Sequence, residues 1–234
     1  VPPTPLARND PAQYDQLADQ WWEASGGFAA LHWLAASRAE HIPPAAPGEV
    51  LVDLACGGGL MAPHVARLGY RHVGVDVGEA SLRVAAAHGV VPVVGSVLAV
   101  PLADGCADVV VAGEILEHVE DDVAVLAECA RLLRPGGTLV IDALAATRIG
   151  RLLTVTLAER LPGGPPRGIH DPALFVDRAR LLAAADALGL DLALVGLRPS
   201  LRDAVRWVAG RRAGVRMKPI RSTAAVFAGY GRKR

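Results

Sequence analysis

From Val50 onward, short apolar runs alternate with segments of helical period. The runs predict strands over 50–55, 72–77, 90–94, 108–112 and 138–143. Helices are expected after the glycine turn to about Gly69, then over 79–88 and 122–133. Continuously apolar strands separated by helices predict a parallel sheet covered on both faces. Two helices precede this pattern. The first starts at Asp10-Pro11, an N-cap followed by proline at the first helical position, and carries Tyr14, Leu17, Trp21 and Trp22 at helical spacing. Gly26-Gly27 ends it, the second spans 28–42, and a Pro-rich linker covers 43–48. Beyond the fifth strand the pattern predicts a helix (149–161), a Gly/Pro loop (162–168) and a helix (172–188). A strand (190–197), a basic helix (201–210) and a last strand (223–228) follow. The expected organisation is one domain: a helical cap over 1–48, a core over 49–145, a covering insertion over 146–189 and C-terminal strands over 190–234. Residues 1–8 read as a mobile tail, and 162–168 as a flexible loop.

Composition narrows the classes. The 234 residues are 52% hydrophobic, which excludes a disordered chain, and 4% aromatic, which makes the core aliphatic. Cys56, Cys106 and Cys129 form no spaced set, so neither a disulfide framework nor a zinc ribbon is indicated. No secretory signal and no spanning apolar run is present, so a soluble, cytoplasmic protein is expected. The 24 basic and 24 acidic residues cancel, but unevenly: from Arg198 to Arg234 the only acid is Asp203. Arg198, Arg202 and Arg206 recur every fourth residue, with Trp207 and Val208 available for an apolar side. Such a helix suits an anionic membrane surface or an acidic partner. Few aromatics for base stacking argue against nucleic acid.

The chemistry concentrates at the first strand–helix turn, Asp53-Leu54-Ala55-Cys56-Gly57-Gly58-Gly59. Its glycines allow a ligand close to the backbone. Gly57, Gly59 and Ala62 also fit a dinucleotide fingerprint, so an oxidoreductase is a rival. Asp53, inside the strand, suits a positively charged ligand better than a pyrophosphate. Asp76 ends the second strand, where an acid accepts ribose hydroxyls. Here the chain resembles the class I S-adenosylmethionine-dependent methyltransferases. The segments 100–110 (VPLADGCADVV) and 132–137 (LLRPGG) resemble theirs too. The resemblance implies an α/β, Rossmann-like, doubly wound sheet of seven strands with the last antiparallel. Two positions depart from the family pattern. Ala55 replaces a glycine, so its backbone is expected to avoid positive φ. Ser96 replaces an Asp that faces the adenine amine.

A narrower resemblance, to the ubiquinone-biosynthesis O-methyltransferases, is carried by 14–22 (YDQLADQWW), Phe28, Leu31-His32, Arg38, 114–119 (EILEHV) and 167–171 (RGIHD). It implies S-adenosyl-L-methionine as cofactor and a catechol-type small molecule as methyl acceptor. It puts Arg38 on the methionine carboxylate, with Asp53, Ala55, Gly57, Gly59, Asp76, Ser96, Val97 and Gly113 around the cofactor. It also implies a divalent-metal set of Glu114, Glu117 and His118, suited to Mg²⁺ and a catechol's two oxygens. Without metal, those glutamates serve the cofactor pocket or cap the next helix, and His118 is a simple base. His170, beyond the Gly/Pro loop, is a second candidate base, and Glu117 belongs to the candidate catalytic set. The rival readings are a carbon or nitrogen methyltransferase and a cofactor-binding protein without turnover.

Overall fold

The computed structural model describes residues 6–160, 165–166, 168–210 and 214–234. Most of Pro162–Gly168, together with Arg211 and Arg212, lies outside these residues, as does most of the N-terminal tail.

Eight strands form one sheet: β1 (Val50–Leu54), β2 (Arg71–Asp76), β3 (Val91–Val94), β4 (Ala107–Gly113), β5 (Leu133–Leu144), β6 (Leu190–Pro199), β7 (Met217–Ile220) and β8 (Val226–Lys233). Their order is β3-β2-β1-β4-β5-β8-β6-β7. β1 to β5 are parallel, β8 is antiparallel between β5 and β6, and β7 pairs antiparallel with β6. The expected count was seven. The additional strand is β7, an edge strand whose Met-Lys-Pro-Ile sequence carries no period-two signal.

The alternation of side chains along β1 assigns the two faces. Val52 and Leu54 join Val110, Ala112, Ile141 and the helices α5 (Asp122–Leu132) and α7 (Arg178–Ala187). Leu51 joins Val109, Val111 and Val140 under the N-terminal cap and α3 (Ala62–Leu68), through Trp21, Phe28, Ala35, Met61 and Val65. Strand order reverses between β1 and β4, which opens a crevice at their carboxyl ends.

The cap differs from the periodic reading. A short α1 (Ala12–Gln16) gives way to a 3₁₀ turn (Ala18–Gln20), and α2 spans Ala29–Ala39. In the insertion, α6 (Arg148–Arg151) runs into a π-helical stretch (Leu152–Leu157) and a 3₁₀ turn (Ala158–Arg160). Helix α7 starts at Arg178, six residues after Pro172, because the Asp177 side chain accepts from the Ala179 and Arg180 amides. Helix α4 (Glu79–Ala87) follows β2, and α8 (Leu201–Val208) follows β6.

Candidate active site

One cleft of about 270 Å³ lies at the carboxyl ends of β1, β2 and β4. Arg38, Asp53, Ala55, Gly57, Asp76, Ser96, Val97, Gly113, Glu114, His118 and His170 all line it. Residues from six separate segments therefore meet in one cleft.

The glycine turn is shaped by Trp21. A Cβ on Gly57 would come within 2.5 Å of the indole, and one on Gly58 within 2.4 Å. The indole donates to Ser81 Oγ at 3.1 Å, and Trp22 Nε1 donates to the Gly58 carbonyl at 2.9 Å. Gly59 does not line the cleft. A Cβ there would come within 3.0 Å of Ala85 and Val90, so its role is close packing on α4 and the approach to β3. Ala55 has φ +53°, against expectation. The Cys56 amide bonds to the Val75 carbonyl at 3.2 Å, so the sheet imposes the turn although alanine disfavours it.

Asp76 closes the turn from β2. Its two oxygens accept from the Gly57 and Gly78 amides, each at 2.8 Å, and burial raises its carboxyl above the ordinary range. Asp53 is 4% exposed, with Oδ2 3.3 Å from His72 Nε2. His72 thus backs an acid of the cleft wall. Arg38 donates through Nε to Asp142 Oδ2 at 2.5 Å, and Asp142 Oδ1 accepts from the Glu114 amide at 2.9 Å. A Cβ on Gly113 would overlap the Arg38 guanidinium, at 2.2 Å. Glu114 has φ +52°, so β4 ends, like β1, in a left-handed non-glycine residue facing the cleft.

These walls fit S-adenosylmethionine. The two acids suit a cationic ligand and ribose hydroxyls, the glycine turn admits close approach, and Arg38 offers a partner for a carboxylate.

The metal set does not assemble. Glu117 is fully buried and does not line the cleft, and among the described residues its carboxyl oxygens find no hydrogen-bond partner. Burial pushes its pKa up to about 8. Burial, then the charges of Glu117 and Asp142, raises Glu114 as well. Both imidazole nitrogens of His118 are engaged: Nδ1 with Asn9 Oδ1, and Nε2 with the Tyr14 hydroxyl at 3.2 Å. Among the described residues no group of three His, Cys, Asp or Glu side chains could hold a metal. The spacing Glu-x-x-Glu-His implied convergence. The 3₁₀ turn Leu116–His118 instead turns Glu117 inward and leaves Glu114 and His118 at the wall.

His118 and His170 face each other with ring centroids 5.3 Å apart. Burial, then the neighbouring His170, lowers His118 to about 3, so it is neutral near neutral pH. His170 is also lowered by burial, opposed by Glu159, whose Oε1 lies 3.6 Å from His170 Nδ1.

A methyltransferase-domain family model matches residues 52–141. The chain is 35% identical over 200 residues to a ubiquinone biosynthesis O-methyltransferase of Ralstonia nicotianae, covering 80% of this chain and 84% of that one. The enzyme of that name from Hahella chejuensis is 35% identical over 189 residues, with 77% and 79% covered. The chain belongs to the ubiquinone biosynthesis O-methyltransferase family. It is an S-adenosylmethionine-dependent methyltransferase. Among solved structures, a SAM-dependent methyltransferase of Thermotoga maritima superposes with TM-score 0.66 at 17% identity, covering 94% of this chain and 98% of that one. The cyclase SpnF superposes with TM-score 0.62 at 18% identity, covering 99% and 97%. Those likenesses carry the fold alone, since one architecture hosts both a methyltransferase and a cyclase.

The cleft of this methyltransferase also contains residues not expected there. Asn9, just before the expected helix start, and Tyr14, expected only in the helical stripe, also line the cleft. Asp142 had a signal: an acid inside an apolar strand run, the same feature that singled out Asp53.

Proposed function

We propose that this methyltransferase transfers the methyl group of S-adenosylmethionine to an oxygen of a phenolic, catechol or hydroxyquinone-type small molecule. The observation that carries the reading is the pair of neutral imidazoles, His118 and His170, in the same cleft as the cofactor walls. When bound, the cofactor supplies an electrophilic methyl on a cationic sulfur. The chain's task is to hold the acceptor in line with that methyl and remove the hydroxyl proton. A phenol with a pKa near ~10 is protonated at neutral pH, so its attack needs a base. The base is assigned to this facing pair, of which His170 has the Glu159 carboxylate beside its Nδ1 to support an imidazolium. Charge is conserved on the wall: the cation lost from sulfur is regained as imidazolium. Tyr14, Trp21 and Leu31 supply apolar cover that excludes water.

The test is calorimetry with S-adenosylhomocysteine and with NAD, followed by product analysis on a catechol. Binding of the former alone, and methyl on oxygen, are expected. NAD binding, or methyl on carbon or nitrogen, would refute the reading.

We also propose that α8 rests on an anionic lipid surface. Leu201, Val205 and Val208 are 70%, 68% and 73% exposed, one face at i, i+4 and i+7. Arg198, Arg202 and Arg206 flank it, which supplies the charge complementarity. No described helix is long and apolar enough to cross a membrane. Co-sedimentation with phosphatidylglycerol vesicles, weakened by the pair Leu201→Ser and Val205→Ser, is expected. Equal retention on phosphatidylcholine vesicles, or none on either, would overturn it.

A further inference from the structure

Arg38 reaches the cleft from the cap, and an acid of the sheet meets its charge from below. The residue stands in the last turn of α2 and is 8% exposed. Two paired strand residues make its landing site: Gly113, at the end of β4, is in register with Asp142 of β5. Gly113 has no side chain, and any would overlap the guanidinium. Asp142 is fully buried and lies on the same face of β5 as Val140, which packs under the cap. Asp53 shares that face from β1, on the other side of β4, as Leu51 does. Both are acids in apolar strands, yet only Asp53 lines the cleft.

The hydrogen bonds there sort the edges of the guanidinium. Arg38 Nε donates to Asp142 Oδ2 at 2.5 Å. Asp142 is itself fixed by backbone: its Oδ1 accepts from the Glu114 amide at 2.9 Å, and its carbonyl oxygen accepts from the same amide at 3.0 Å. A guanidinium is planar and carries five N–H groups in a rigid fork. Asp142 takes one of them, at Nε, and its second oxygen is already used. Among the described residues, neither Nη1 nor Nη2 of Arg38 makes a hydrogen bond. A buried arginine whose terminal edge is unpaired at a cleft wall is set to receive an anion.

We propose that Asp142 is a positioning residue: by holding Nε it presents the Nη1–Nη2 edge of Arg38 to the cleft, where that edge takes the carboxylate of the cofactor's amino-acid end in two parallel hydrogen bonds. Asp142 touches no cofactor atom and acts through Arg38, 104 residues earlier in the chain. The arrangement selects a zwitterion. Arg38 meets the carboxylate, and Asp53, across β4, meets the ammonium group on the adjacent carbon. A ligand with the same nucleoside and sulfur but no amino-acid end gains nothing from either. Asp142 also pairs the buried cation whether or not a ligand is bound, so removing it leaves an uncompensated charge. The inference concerns the cofactor, and it is independent of which acceptor atom receives the methyl group.

The probes are S-adenosylhomocysteine and 5′-methylthioadenosine, which shares the adenosine and sulfur of the first but lacks its amino-acid end. Asp142→Asn keeps the size of the side chain, removes its charge and leaves one acceptor oxygen for two donors. Calorimetry on the full chain is expected to show it weakening S-adenosylhomocysteine roughly 10-fold while methylthioadenosine stays within about twofold. Arg38→Met should show the same selectivity with a loss of roughly 10- to 100-fold. In that background Asp142→Asn should cost less than about twofold more, because its effect passes through Arg38. Equal losses for the two nucleosides would mark a merely structural role. That result, unchanged S-adenosylhomocysteine binding in Asp142→Asn, or a full further loss in the Arg38→Met background would each overturn the proposal. Should Asp142→Asn fail to fold, arginine side-chain NMR of the parent protein, assigned with Arg38→Lys, decides the matter. The Arg38 Nε–H should be protected from exchange with and without ligand, and its Nη hydrogens should become protected with S-adenosylhomocysteine but not with methylthioadenosine. Protection gained only at Nε, or at neither edge, would overturn it.

Discussion

The two halves of the cleft are built differently. The cofactor half is local and made of backbone: β1 runs into the glycine turn, and Asp76 ties that turn to β2 by accepting from the Gly57 amide, while its other oxygen holds the Gly78 amide just beyond β2. The half we propose for the acceptor is made of side chains from distant segments. Asn9, Tyr14, His118, Glu159 and His170 converge from the cap, the β4–α5 connection and the insertion. A turn that must admit a nucleotide tolerates little change, whereas a wall of side chains can be exchanged residue by residue to suit a new acceptor. Substitutions in the two halves should therefore separate binding from turnover.

The largest separation is expected from replacing the facing pair, His118→Ala with His170→Ala. Turnover should fall by about 10²–10⁴-fold while S-adenosylhomocysteine affinity changes little. Calorimetry beside a methyl-transfer assay checks this, and a large loss of cofactor affinity would merge the two halves.

Asp76→Ala should do the reverse. Two hydrogen bonds to a charged acceptor, each worth about 1.5–3 kcal/mol, are removed from the cofactor. Affinity should drop well over tenfold, and the Gly57 and Gly78 amides lose their partner. Unchanged binding would place the ribose elsewhere.

Glu117 tests the border between the halves through pH. Its carboxyl ionises near 4.5 when unfolded but near 8 when folded. The folded chain therefore binds a proton that the unfolded chain has released, and stability falls as pH rises between those values. Glu117→Gln should flatten that fall and melt higher than the parent at pH 9, by up to a few kcal/mol. Thermal melts at pH 6 and 9 measure it. Loss of turnover in Glu117→Gln without loss of stability would return Glu117 to the chemistry.

The smallest effect is expected at Ala55. Relieving a left-handed alanine with Ala55→Gly should add about 1 kcal/mol, a rise of roughly 2–4 °C in Tm, without changing turnover. A lower Tm would show that the turn is not strained.

The same division explains what was legible in the sequence. β1 to β5 carry continuous apolar runs, and the cofactor wall lies in contiguous turns, so spacing alone located Asp53, Gly57 and Asp76. Gly59 was misassigned because a glycine needed for packing on Ala85 reads like one needed by a ligand. Ala55 was misread because propensity is local, whereas the pairing of β1 with β2 and β4 is not. The Glu-x-x-Glu-His spacing could not show that a 3₁₀ turn buries Glu117. Asn9 left no signal as an active-site residue, since its meaning depends on a ring 109 residues away. Helix 172–188 was overextended because Pro172 competes with the true cap, Asp177.

The central claim is that one cleft joins the cofactor's methyl to an acceptor hydroxyl held by the facing pair His118 and His170. A crystal structure of the chain with S-adenosylhomocysteine and a catechol measures this most directly. The account predicts the ribose on Asp76, the homocysteine carboxylate at Arg38, and a catechol oxygen within hydrogen-bond distance of the His118 or His170 imidazole, with the Asn9–His118 contact intact. A catechol bound away from both histidines, or a metal ion bridging Glu114 and His118 with Asn9 displaced, would contradict it.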